Sequence, residues 1–428
     1  MKKSTRVAAV SVMTAAALLG LAGCAKGGAS GDAASGTITL WTHNAGNEAE
    51  LAAIQKIVDD FNASQEGHTV SLQAFPQESY NESVTAAAAS KKLPCILDID
   101  GPNVPSWAWA GYLAPIDELT DRLADFLPST VGTYEDKTYS YGFYDVALTM
   151  VTRKSTLDDN GIRVPTPDKP WTKDEFDHAL ETLKATGSYA YPADFATSST
   201  GEWYPYAYSP FLQSAGGDLI DRTTYESADG VLNGPEALEW ANWFQGLVSN
   251  GYIAAKSGTD QTADFINGKT AIMYAGSWAA EKVRDAFGDD ALFLPSVDLG
   301  QGPKIGGGSW QWGMSSGCSD PEGALAYLEF AAQDEYVASV SEATGTIPAT
   351  DAAAELVPGY EPGGVNDVFR QFSKANAVVR PVTPGYPFIS SAFAEATQQL
   401  LDGADPQKTL DQAVKDIDAN QKQNAYQG

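Results

Sequence analysis

Positive charge is scarce in this chain. It has 27 Lys and Arg against 55 Asp and Glu, a formal net charge of −28 over 428 residues. Nucleic-acid recognition needs a basic face for phosphates, so that class of partner is excluded, as is electrostatic docking on anionic lipid. Cysteine is scarce too: three residues are too few for a disulfide scaffold. The three histidines, His43, His68 and His178, are scattered, which argues against a histidine-rich metal cluster. No apolar run reaches the ~18 residues of a membrane span. No G-x-S-x-G, H-E-x-x-H or phosphate-binding Gly-Lys-Ser/Thr loop occurs, and there is no internal repeat or heptad run. What is present is a globular composition, 43% hydrophobic, at a length that suggests two to three domains of roughly 100–200 residues.

The N-terminus sets the compartment. Lys2, Lys3 and Arg6 precede an apolar stretch from Val7 to Leu21, which leads through Ala22 and Gly23 to Cys24. A positive flank, a short apolar core and small residues at the end mark a secretory signal. The Leu-Ala-Gly-Cys ending resembles the bacterial lipobox, which implies cleavage before Cys24 and acylation of its thiol. Acyl chains hold an exported protein on a membrane. Residues 1–23 are therefore read as a signal peptide, and 24–36, rich in Gly, Ala and Ser, as a lipidated flexible tether. Cys95 and Cys318 lie far apart in sequence. A disulfide between them is compatible with an oxidising compartment, but a large domain rarely needs a staple, so two buried free thiols is the preferred reading.

The β-rich run Thr37 to Thr42 reads as a strand, and Glu48 to Ala63 as a helix with Leu51, Ile54, Ile57, Val58 and Phe61 on one face. Thr69 to Phe75 is a second strand, Ser79 to Ser90 a second helix, Cys95 to Ile99 a third strand and Val104 to Tyr112 a third helix. This alternation predicts an α/β fold with a mostly parallel sheet, whose ligands bind at the carboxyl ends of the strands. Tyr139 to Val151 reads as a crossing to a second domain and Ala291 to Pro295 as a second crossing. Thr172 begins a helix through a capping box with Glu175. Further helices are predicted over 235–248, 321–332, 390–401 and 406–420, and 348–364 reads as loop.

In order along the chain stand TITLWT, LPCILDID, YSYGFYDVALTMVTRK, QSAGGDLID, FINGKTAIMYAGSW, GGGSW, SDPEGALAYLEFAAQ, ATGTIPA and RPVTPGYPFISSAFAEATQQLLDG. In that order the segments resemble the extracellular solute-binding proteins of ATP-driven (ABC) importers, in the carbohydrate-binding branch that includes the maltose-binding proteins. Cys95 departs from that pattern, which usually has Asp there. The resemblance implies two α/β lobes, each a mostly parallel sheet with flanking helices. Lobe 1 would span 37–145 plus 303–333, and lobe 2 would span 146–295 plus 334–428. A sugar or oligosaccharide would lie in the cleft, gripped by hinge closure and delivered to the transmembrane subunits of an ABC permease. The protein would be a monomer, anchored through Cys24 on the outer face of the cell membrane, with no cofactor, no metal and no catalytic residue.

A sugar presents hydroxyls at its edge and C–H faces above and below. Its site therefore wants flat aromatics and short polar groups. Trp278 follows Ala-Gly-Ser, a poor place for a core residue, and the resemblance implies that it stacks on a sugar ring. Trp203 and Tyr204 sit between polar residues and proline, in a segment that the resemblance makes a ligand-contacting loop of lobe 2. Trp310 and Trp312 share one face of an extended segment, either on the cleft or packed under the hinge. His43 and Asn44 follow the first strand and can bond hydroxyls, while Trp41 reads as core. Asp100 ends the third strand. Asp145 stands at the crossing, where the family often has an acidic contact; a carboxylate accepting hydroxyl protons makes strong, charge-assisted bonds. Arg380 is either a ligand contact or an ion-pair partner within lobe 2. Two other readings stand beside this one: a secreted carbohydrate-active enzyme, which needs paired carboxylates across a cleft, and the same fold holding a non-sugar solute.

Overall fold

A computed structural model of the chain describes residues 37–426. The signal segment, Cys24 and the tether lie outside the described residues. The strands are β1 (Thr37–Thr42), β2 (Thr69–Ala74), β3 (Ile96–Asp100), β4 (Leu113–Ala114), β5 (Val131–Tyr134), β6 (Lys137–Tyr141), β7 (Tyr144–Asp145) and β8 (Leu148–Arg153). They continue with β9 (Tyr191–Asp194), β10 (Thr270–Gly276), β11 (Ala291–Leu294), β12 (Ile305–Gly306), β13 (Trp310–Ser315), β14 (Ile347–Pro348) and β15 (Ala377–Val378).

The first lobe forms around a sheet ordered β2-β1-β3-β13-β6-β5, with β4 beside β13. Its β2-β1-β3 part is parallel, built from the alternating segments at the start of the chain. The helix Glu48–Ser64 buries Ile54, Ile57, Val58 and Phe61 as its periodicity predicts. β13 then enters antiparallel to β3 and β6, so strand directions are more mixed than a mostly parallel sheet. The second lobe holds the sheet β11-β8-β10-β9, in which only β10 and β9 run parallel. Helices cover both sheets, giving the two-lobed α/β architecture that the segment order implied. Among the described residues no helix is long and apolar enough to cross a membrane.

Several expectations are corrected. Ala291–Leu294 is an edge strand of the second sheet, not a crossing; the chain returns to the first lobe through β12 and Gly307–Ser309. Helix Asp334–Thr344 packs on helix Glu48–Ser64, with Tyr336 Oη donating to Asp60 at 3.2 Å. The first lobe thus continues past Gln333. Within 348–364, Asp351–Leu356 is a helix capped by Thr350. The aromatic run from Trp203 is a helix to Ala215, not a loop, and almost every residue of it is buried. Cys95 and Cys318 are joined as a disulfide rather than free. β13 lies beside β3, so the turn after β13 brings Cys318 to the start of β3. The Thr172 capping box is present as read.

Candidate functional site

The carboxyl ends of β1 and β3 set the rim of the first lobe, and β13 completes it by placing Trp310 opposite Asp100 and Trp312 opposite Asp98. Under this rim lies a buried polar network. His43 bonds Asp98 through Nδ1, and Asp98 also accepts from the His43 amide at 3.3 Å and from Thr42 Oγ1 at 3.1 Å. The His43 ring is stacked on Trp310, with centroids 3.7 Å apart. Asn44 Nδ2 lies 3.2 Å from His43 Nε2. Glu50 accepts from Tyr144 Oη at 3.0 Å and Asn47 Nδ2 at 2.9 Å. His43 and Asn44 are buried: they hold the wall that seats Trp310 and do not stand free on the rim.

Asp145 is likewise enclosed. Its two oxygens accept from the amides of Val146 and Gly308 and from the hydroxyls of Ser129 and Ser373, at 2.7–2.9 Å. It knots the crossing segments together, and its lone pairs are taken by the protein. Tyr204 is buried and gives its hydroxyl to Thr197 O and Gln398. Trp312 is a core residue beside Phe143. Five expected contacts, His43, Asn44, Asp145, Tyr204 and Trp312, are therefore buried in this conformation.

The remaining candidates come together. Trp278 follows β10 in a one-turn helix and is 42% exposed, large for a tryptophan in a well-packed chain. Its indole folds back over Gly276, where an added Cβ would fall 2.0 Å from the ring; only glycine leaves that space. The Ser277 amide donates to Ala147 O at 3.0 Å, which ties the turn to the interlobe crossing. Trp203 meets Trp278 edge-on at 6.3 Å and lies 6.0 Å from Tyr206. Tyr206 was not foreseen; its hydroxyl is buried with no partner among the described residues. The face of Tyr206 carries the Arg380 guanidinium, 5.1 Å from its centroid. Arg380 Nη1 donates to Glu202 Oε1 at 2.8 Å, and Nη2 lies 3.8 Å from Asp100 Oδ1. Tyr386 and Ser390, one turn apart on helix Tyr386–Leu401, also donate to Glu202. Asp100 belongs to the first lobe. Glu202, Tyr386 and Ser390 belong to the second, so Arg380 bridges the lobes. Beside it a cavity of about 230 Å³ opens between Gly101–Pro105, Val131–Thr133 and Val379–Val382.

Burial would lower the pKa of His43, but the charge and hydrogen bond of Asp98 outweigh it and the value is raised. Burial raises Glu50. Burial also pushes Asp100 from 3.8 up to about 6, against the pull of Arg380. Arg380 is raised: burial opposes its charge, and Asp100 and Glu202 more than offset that. His43, Glu50 and Asp100 all hold protons more tightly in the folded state. Their contribution to stability is complete below their ordinary values and is lost as pH rises through the raised ones. Asp100 should thus lower stability as pH goes from about 4 to 6, and His43 should do so above about 6.5. Denaturant unfolding across this range should show a shallower pH 4–6 slope for Asp100→Asn than for the wild type. Equal slopes would remove Asp100 as the titrating group.

A family model for bacterial extracellular solute-binding proteins matches residues 56–363, well over half the chain. The chain belongs to this family. Among relatives of this solute-binding protein is the maltodextrin-binding protein of Bacillus subtilis, 26% identical over 342 residues, covering 75% of this chain and 78% of the relative. Another is the sn-glycerol-3-phosphate-binding periplasmic protein of Rhizobium meliloti, 24% identical over 419 residues, covering 90% and 93%. Among solved structures, the cyclic α-maltosyl-1,6-maltose binding protein of Arthrobacter globiformis superposes with a TM-score of 0.74 at 26% identity, covering 90% of this chain and 99% of that one. The family and these neighbours are binding proteins rather than enzymes.

Glu202 and Tyr206 flank the Trp203–Tyr204 pair already singled out. Had that run been read as a helix, the three-residue spacing from Trp203 to Tyr206 would have placed both on one face.

Proposed function

We propose that this protein captures an uncharged sugar or oligosaccharide between its lobes and hands it, unaltered, to an ABC permease. The observation that carries the reading is the exposed Trp278 indole edge-on to Trp203, whose ring leads through Tyr206 to the Arg380–Asp100–Glu202 bridge. An aromatic platform beside paired donors and acceptors matches the two surfaces of a sugar. Relatives named for maltodextrin and for diacetylchitobiose, the latter from Streptomyces coelicolor, support the same solute class. Trp203, Trp278, Trp310, Asp100 and Arg380 would contact the ligand, with Tyr206 added. Ligand touching both lobes favours the closed form over the open one. The leader and the lipobox-like Cys24 support export and anchoring on the outer face of the membrane, as a monomer. The Cys95–Cys318 bond is consistent with an oxidising compartment.

The test is a melting screen of the purified protein against neutral oligosaccharides, with each mixture then examined for cleavage products. At a hundredfold excess over Kd, binding should add about 2.7 kcal/mol to stability, with no product formed. No shift with any sugar would reject the sugar reading, and released product would favour the enzyme reading.

A further inference from the structure

Relatives named for neutral oligosaccharides and relatives named for a phosphate ester resemble this chain about equally. Percentage identity alone therefore does not choose between an uncharged and an anionic solute, even though the site holds a buried arginine, the residue that most readily binds phosphate. The state of that arginine does choose.

We propose that Arg380, occupied by Glu202 and facing Asp100, makes the cleft a reader of hydroxyl groups that excludes phosphate esters and other ionised acids. This rests on the interlobe cleft being the ligand site, as argued above. Three hydrogen bonds hold Glu202 against the guanidinium: one of its oxygens accepts from Arg380 and Tyr386, and the other from Ser390 at 2.6 Å. The Tyr206 ring lies against the guanidinium. No lysine or other arginine among the described residues lies within 4.0 Å of the carboxylates of Asp98, Asp100 or Glu202, and the one cationic partner of Asp98 is His43. Three carboxylates thus face one guanidinium and one imidazole, and at pH 7.5, above the raised Asp100 value, the corner is negative whether or not His43 is charged.

The free valences of the corner point the same way. The Asp100 carboxylate, 15% exposed, accepts no hydrogen bond from the described residues, since its 3.8 Å separation from Arg380 Nη2 is too long for one. Arg380 Nε is a buried donor with no partner, on a side chain only 7% exposed. An unfilled acceptor and an unfilled donor thus belong to two side chains that approach each other to 3.8 Å. A hydroxyl suits such a pair, because it can donate to Asp100 and accept from the guanidinium. The ionised oxygens of a phosphate can only accept. They would meet Arg380 while confronting Asp100 and Glu202, and like charges at such range strongly disfavour binding.

The test is titration calorimetry at pH 7.5 with sn-glycerol 3-phosphate and inorganic phosphate as probes, beside the neutral oligosaccharide that gives the largest melting shift. The wild type is expected to show no binding of either phosphate at millimolar concentration. The double variant Asp100→Asn, Glu202→Gln keeps the side-chain shapes and frees the guanidinium. It should bind sn-glycerol 3-phosphate at least tenfold better than the wild type, and Asp100→Asn alone should lose tenfold or more in affinity for the oligosaccharide. Micromolar binding of either phosphate by the wild type overturns the proposal, as does a folded double variant with no gain. If the double variant does not fold, the wild-type titration still decides. Failure of every neutral sugar to bind would instead strike the sugar reading, since the phosphate titrations do not depend on it.

Discussion

Replacing Asp98 by alanine is expected to cost about 3–5 kcal/mol of stability, the scale of removing one partner from a buried ion pair. Asp98 is fully buried in β3 at the centre of the first sheet. It takes hydrogen bonds from Thr42, from the His43 amide and from the His43 ring. Without it, the buried His43 imidazole loses its acceptor and the buried Thr42 hydroxyl keeps only Asn44 Oδ1. Urea unfolding should show a lower midpoint at unchanged slope. A loss below about 1 kcal/mol, the worth of a single ordinary hydrogen bond, would show that His43 finds another partner and that the network does not hold the rim. Because Trp310 rests on the His43 ring, the variant should also loosen that indole.

Trp278→Ala should act on the other side of the ledger, weakening ligand binding by ~1–3 kcal/mol, the scale of one buried aromatic, or about 5- to 150-fold in Kd. The fold should be retained. The indole is 42% exposed and packs chiefly across Gly276 and against the edge of Trp203, so little core is lost. Calorimetry with the best oligosaccharide of the screen, beside a melting curve without ligand, separates the two effects. Unchanged affinity would take Trp278 out of the site. A lowered melting point without ligand would make it a packing residue.

Much of the architecture was legible because one-sided helices and alternating strands bury a recognisable stripe. The helix Glu48–Ser64 and the capped helix Lys173–Ala185 follow their sequence patterns closely. Helix Trp203–Ala215 did not, for a physical reason: it is buried nearly all round. Such a helix has no polar face to give it a period, and Pro205 and Pro210 read as breakers. The run Ala291–Leu294 is too short for its apolar character to separate an edge strand from a crossing. The disulfide was missed because 223 residues of sequence separate its halves, and only the insertion of β13 beside β3 brings them together. The exposure of Trp278 was legible from its turn. The spacing of two correctly put Trp310 and Trp312 on one face of a strand, yet one pleat of depth separates a residue at the rim from one in the core. Asp145 and Asp100 differ in the same way: nothing in a linear sequence says that four donors converge on the first and none on the second.

The central place of β13 has a consequence for biogenesis. Residues 310–315 fill the slot between β3 and β6, so a chain threaded outward from its N-terminus must wait for most of its length before that slot is closed. Until then β3 presents a naked edge, and Cys95 carries an unmated thiol at its foot. No fragment cut before β13 can serve as a minimal first lobe.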